Sequence, residues 1–137
     1  MSVTSEPVAV RRGPLVVVGG VLAAIVVASI ADTVISLIAL AAGAPDDFQP
    51  LKARSYVFLT AVGTVTGALG WAFVRKVAQD PEVLTRWLVP AVVVLSFVPD
   101  ILLVGAGGAI GVGALLLMHV AVAVIAVFAF RKVMPLA

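Results

Sequence analysis

Four long apolar stretches occupy most of this 137-residue chain, at about residues 15–40, 56–74, 87–104 and 109–130. Each is close to the roughly 20 residues a helix needs to cross a hydrocarbon core about 30 Å thick. Hydrophobic residues make up 63% of the chain and charged residues only 12%, so there is too little polar surface to wrap four such helices in water. The fold class expected is therefore an all-α membrane protein, a bundle of four transmembrane helices in a single domain over residues 14–134. Short tails, 1–13 and 135–137, flank it. The lipid bilayer is its first expected partner.

The same composition narrows function. Nine Lys and Arg against seven Asp and Glu leave a formal charge of +2, scattered rather than gathered into the basic surface that nucleic acid requires. With no cysteine there is no thiolate metal site, cysteine nucleophile or disulfide framework, and a single histidine, His119, excludes multi-histidine zinc centres and bis-histidine haem ligation within one chain. No metal or other cofactor is implied.

The first stretch also invites a secretory-signal reading, since Arg11-Arg12 precede it and Ala42-Gly43-Ala44 resembles a cleavage site. Its apolar length is about twice that of a signal core of 7 to 15 residues, and Pro45 would follow the cut, so a retained helix is expected. A twin-arginine signal also fits poorly, because Arg11-Arg12-Gly13-Pro14 lacks the flanks of that motif. Basic residues then set the orientation, because Lys and Arg in short loops stay on the cytoplasmic side. Placing both termini inside collects Arg11, Arg12, Arg75, Lys76, Arg86, Arg131 and Lys132 in the cytoplasm and leaves only Lys52 and Arg54 outside. Trp71 and Trp87 then fall near the inner interface and Tyr56 near the outer one, where amphipathic rings prefer to lie. A plasma-membrane, multi-pass protein follows.

Two patterns bear on how the helices meet. Gly63 and Gly67, with Gly70 nearly on the same face, and Gly107 with Gly111 have the four-residue spacing that lets helix backbones approach in lipid, within this chain or between copies of it. The phrases Ala72-Phe73-Val74-Arg75-Lys76-Val77 and Ala129-Phe130-Arg131-Lys132-Val133 close the two halves alike, and Ser29 with Asp32 echoes Ser96 with Asp100. Together they suggest a parallel repeat of two hairpins.

Only Asp32, Asp100 and His119 are ionisable within the four stretches. An acid at a helix centre costs about 2.5 to 3.5 kcal/mol on insertion scales, so such residues turn inward, pair, or line water. Counted at about 1.5 Å per residue from the cytoplasmic end, all three fall in the outer half of the membrane. Ser29, Asp32 and Ser36 share one helical stripe, Tyr56, Thr60 and Thr64 another, and Ser96 stands one turn from Asp100. Facing one another, these stripes would form a polar pocket beneath the outer loop at Gly105–Gly108. Pro99 should kink or end the third helix between Leu95 and Pro99, and so open carbonyl groups beside Asp100.

Val98-Pro99-Asp100, with Leu117-Met118-His119 and Asp32, resembles a family of small actinobacterial four-helix membrane proteins known only as a domain of unknown function. The resemblance implies four transmembrane helices in a plasma membrane and no established activity. It makes Asp32, Asp100 and His119 family-like positions without assigning them roles. Three readings of function follow from the residues. One is a binding or proton-coupled transport module with an intramembrane polar pocket, its ligand unspecified, acting alone or as a homo-oligomer. Another is a structural or accessory subunit docked on a membrane protein partner. The third is a membrane enzyme using an Asp/His acid-base pair on a lipophilic substrate.

Overall fold

The computed structural model describes residues 12–136, so Arg11 and the rest of the N-terminal tail before it lie outside the described residues. Four helices follow one another: α1 (Pro14–Ala41), α2 (Ala53–Val77), α3 (Pro81–Ile101) and α4 (Val104–Val133), with a short 3-10 turn at Gln49–Leu51 between α1 and α2. There is no strand among the described residues. All four helices are long and apolar enough to cross a membrane.

The helices overrun the apolar stretches because their ends obey capping rather than hydropathy. Asp80 caps α3 by accepting a hydrogen bond from the Val83 N–H at 3.1 Å, and Pro81 and Glu82 occupy its first turn. The helix therefore starts at Pro81, six residues before the expected Trp87. It also passes through Pro99 and stops at Ile101, rather than ending by Pro99 or continuing to Val104. Proline removes one N–H, but so close to the end the remaining groups are still met, the Leu102 N–H donating to Val98 O and the Leu103 N–H to Asp100 O.

The expected Gly105–Gly108 turn is largely helical. Val104–Gly107 forms a first turn of α4, and the break falls at Gly108, whose φ of 65° and ψ of −179° only glycine adopts comfortably. At the neighbouring corner, Ala42-Gly43-Ala44 closes α1. The Ala44 N–H reaches Ala39 O and the Gly43 N–H reaches Leu40 O, with Gly43 at φ 112°, which is a Schellman cap. The small residues that resemble a cleavage site thus end a helix.

α4 is the centre of the bundle, packing most extensively on α1 and also on α3 and α2; α1 and α2 form a hairpin, and α3 leans mainly on α4. The α1 seam has a simple pattern. Its buried residues Ala24, Ala28, Asp32 and Ser36 continue a four-residue spacing that begins at Gly20, where an added methyl would come within 2.5 Å of the Val133 side chain, and Ala39 follows three residues on. Small residues at every turn let α1 lie close to its neighbours, where packing rather than hydrophobicity must hold helices together.

Two apolar clusters plug the two ends. Phe48, Leu51, Tyr56, Leu115 and Met118 fill the end near the α1–α2 loop, while Trp71, Ala126, Phe130 and Met134 fill the other. Tyr56 and Trp71 are buried in these plugs at the two ends of the bundle, whereas Trp87 is exposed. Trp71 Nε1 donates to Met134 O at 2.9 Å, and Arg131 makes a two-pronged ion pair with Glu82.

The glycine pairs have unlike surroundings. Gly107 and Gly111 lie under the ring of Phe48, where a methyl on Gly107 would sit 2.5 Å from the ring and one on Gly111 3.1 Å. They seat an aromatic side chain from the loop. Gly67 meets Phe130 of α4, whereas Gly63 and Gly70 face nothing within 4 Å among the described residues. Gly107→Ala should therefore lower stability by about 1–3 kcal/mol through overpacking. Gly63→Ala should change it by less than about 0.5 kcal/mol. Thermal unfolding of both variants in one detergent compares them directly.

Candidate functional site

Between the two apolar plugs lies a polar layer. Asp32 on α1 is 1% exposed, and its Oδ2 accepts a hydrogen bond from Thr60 Oγ1 of α2 at 2.6 Å. The bond is short because the acceptor is a carboxylate, and it joins the two expected stripes across the α1–α2 interface. Thr64 is likewise 1% exposed. Oδ1 of Asp32, Oγ of Ser29 and Oγ1 of Thr64 are buried without a hydrogen-bond partner among the described residues.

Towards the α1–α2 loop the stripes diverge into separate bonds. Ser36 Oγ donates to Leu51 O at 2.8 Å and so ties α1 to the 3-10 turn. The Tyr56 hydroxyl lies 3.0 Å from Thr33 Oγ1, which itself donates to Ser29 O at 2.8 Å. Thr33 is a member that the stripe spacing misses; its signal in the sequence is a hydroxyl next to Asp32 in an otherwise apolar turn. Ser96 does not join Asp100, because its hydroxyl is spent on Val93 O at 2.6 Å. The two halves of the expected repeat thus use their Ser and Asp residues differently.

Asp100 and His119 do meet. Nδ1 of His119 lies 2.9 Å from Asp100 Oδ2 and 2.7 Å from Leu115 O. The hydrogen bond of Nδ1 is with the Leu115 carbonyl, and Asp100 Oδ2, in contact with the same nitrogen, has no hydrogen-bond partner among the described residues. A nitrogen between two acceptors must carry a proton, so the ring is either the Nδ1–H tautomer or the imidazolium. Phe97 presents its ring edge-on to the imidazole at 6.3 Å between centroids. Asp100 stands in the last turn of α3, yet it contacts the midpoint of α4, so the carboxylate is held inside the bundle rather than at a membrane exit.

The three ionisable groups thus fall into two parts, Asp32 with its hydroxyls on α1 and α2, and Asp100 with His119 on α3 and α4. The first part is sealed, whereas the His119 side chain remains 36% exposed on the flank of the bundle. A separate depression of about 330 Å³ opens at the end of the bundle near the α1–α2 loop, lined by Asp47, Phe48, Gln49, Pro50, Leu103 and Ala106. It contains none of the expected polar residues. Among the described residues no cluster of three or more His, Cys, Asp or Glu side chains could hold a metal ion.

Four apolar helices enclosing a buried layer of carboxylates, hydroxyls and an imidazole define a small multi-pass membrane protein. Residues 4–135 match the model of a family of unknown function (DUF6069), and the chain belongs to that family. No curated protein and no solved structure matches it.

Thr60→Val should destabilise the fold by about 1–3 kcal/mol, because it leaves both oxygens of a buried carboxylate unpaired. Adding Asp32→Val should recover part of that loss, since an unpaired partner costs more than an absent pair. A double-mutant cycle of unfolding midpoints measures the coupling.

Proposed function

We propose that this protein binds and relays protons within the membrane, with the layer of Asp32, Asp100 and His119 as its working part. The 2.9 Å contact between His119 Nδ1 and Asp100 Oδ2 carries this reading. An acid and an imidazole held together at mid-bundle are expensive to keep in lipid, and such pairs serve as proton carriers. Asp32, on the sealed side, is the second carrier. The apolar plugs above and below the layer suit a relay that passes protons one at a time without an open aqueous pore.

The setting proposed is an actinobacterial plasma membrane, as the resemblance at Val98-Pro99-Asp100 and His119 implies, with both termini cytoplasmic. The orientation rests on charge. Arg12, Arg75, Lys76, Arg86, Arg131 and Lys132 share the end marked by the Trp71–Met134 and Glu82–Arg131 contacts, against Lys52 and Arg54 at the other. A second reading, an accessory subunit or homo-oligomer, is favoured by the open face of α2 at Gly63 and Gly70, where another helix could approach closely.

Reconstituted into vesicles with a trapped pH-sensitive dye and a potassium diffusion potential, the protein should support proton flux. Asp100→Asn and Asp32→Asn should each abolish it; flux unchanged in both rejects the relay. The absence of native cysteine makes orientation accessible to single-cysteine labelling. Asp47→Cys should react with an impermeant maleimide in intact cells, and Gln79→Cys only after lysis.

A further inference from the structure

Three unpartnered oxygens lie within one helical turn of the Thr60–Asp32 bond on the sealed side. Within the α1–α2 hairpin, that bond sets the register of two antiparallel helices. One turn from it towards Pro14 on α1 stands Ser29, three residues from Asp32. One turn the same way along α2 stands Thr64, four residues from Thr60. Both lie about 5 Å beyond the bond at the same height of the hairpin. Ser29 Oγ, Thr64 Oγ1 and Asp32 Oδ1 are each buried and without a partner among the described residues. Just beyond them on α1, the buried seam residues Ala28 and Ala24 offer only methyl groups.

The other buried serines and threonines of the helices, Ser36, Thr60 and Thr85, each have a hydrogen-bond partner. Thr33, Thr85 and Ser96 all turn back to a carbonyl of the preceding turn, at 2.6–2.8 Å, as helical Ser and Thr commonly do. Ser29 and Thr64 do not, although they are buried in an interior where an unmade hydrogen bond costs about 1–3 kcal/mol.

We infer that Ser29, Asp32 and Thr64 bind one water molecule inside the α1–α2 interface. Donor and acceptor counts select water. Its two lone pairs take the Ser29 and Thr64 hydroxyl hydrogens, and one of its hydrogens goes to Asp32 Oδ1, which satisfies all three groups. A metal cation would turn the hydroxyl oxygens towards itself and leave both hydroxyl hydrogens without acceptors. A proton on Oδ1 would satisfy one hydroxyl at most. Three polar partners is also the usual number for a buried water. The molecule gives Asp32 a hydrated oxygen within an apolar bundle and so lets it hold a charge there. That role rests on the relay reading, whereas the binding site itself does not.

Crystals of the full chain grown from a lipid mesophase should show a density peak within hydrogen-bond distance of all three oxygens. The peak should be lost in Thr64→Val while the Thr60–Asp32 bond remains. A direct bond from either hydroxyl to Asp32 Oδ1 with no peak, or a peak with the short multiple oxygen contacts of a metal ion, overturns the inference. Infrared spectroscopy in vesicles gives a second measure. A weakly bonded O–H stretch should shift on exchange into oxygen-18 water and disappear in both Thr64→Val and Ser29→Ala, but survive in Ser36→Ala. Persistence of the band in the first two variants overturns the site. A peak present together with flux that survives both Asp32→Asn and Asp100→Asn rejects the relay and keeps the water; flux lost in these variants at a dry site does the reverse.

Discussion

The hydrogen bond from Thr60 to Asp32 shows the constraint under which the rest of the bundle is organised. In lipid there is no solvent to pair a carboxylate, so the cost of carrying Asp32 into the membrane must be met by another part of the same chain. Meeting it requires α2 to lie against α1 with Thr60 opposite Asp32, and that register determines what every other residue along the hairpin faces. Tyr56 is drawn inward to Thr33, and Ser36 reaches the carbonyl of Leu51. The aromatic and hydroxyl groups of this hairpin are placed by one buried acid.

Close approach is the second requirement, and small residues supply it in different ways. Along α1 the spacing Gly20, Ala24, Ala28, Asp32, Ser36 forms a narrow seam, with the acid set among residues small enough not to hold the helices apart. At the end near the α1–α2 loop Gly107 and Gly111 make room for the ring of Phe48 instead of a helix backbone. Both uses follow from the weakness of hydrophobic attraction between helices in lipid, which leaves shape complementarity as the main source of cohesion.

Much of this was legible in the residues. The four helices and the two groups of facing polar positions follow from hydropathy and from a repeat of 3.6 residues, because a membrane imposes length and a helix imposes spacing. The helix ends were less so, since Asp80 and Gly43 act through backbone capping that hydropathy does not register. Phe48 was missed for a related reason: a single aromatic in a polar loop carries no periodicity, and only folding brings it over two glycines about sixty residues away. Ser96 shows the opposite error, where correct spacing suggested a partner but the hydroxyl closed on its own helix.

By itself the sequence determined the solvent, the number of spans and the identity of the three ionisable residues that residence in a membrane does not explain. Those properties depend on how much apolar surface the chain carries and in what order. Only the tertiary structure decided that Asp100 meets His119 while Asp32 takes Thr60, and that one half of the polar layer is sealed while the other keeps an exposed imidazole. Such pairings depend on which faces of separate helices come together at what height. Helix packing sets that relation, and no spacing within a single helix encodes it.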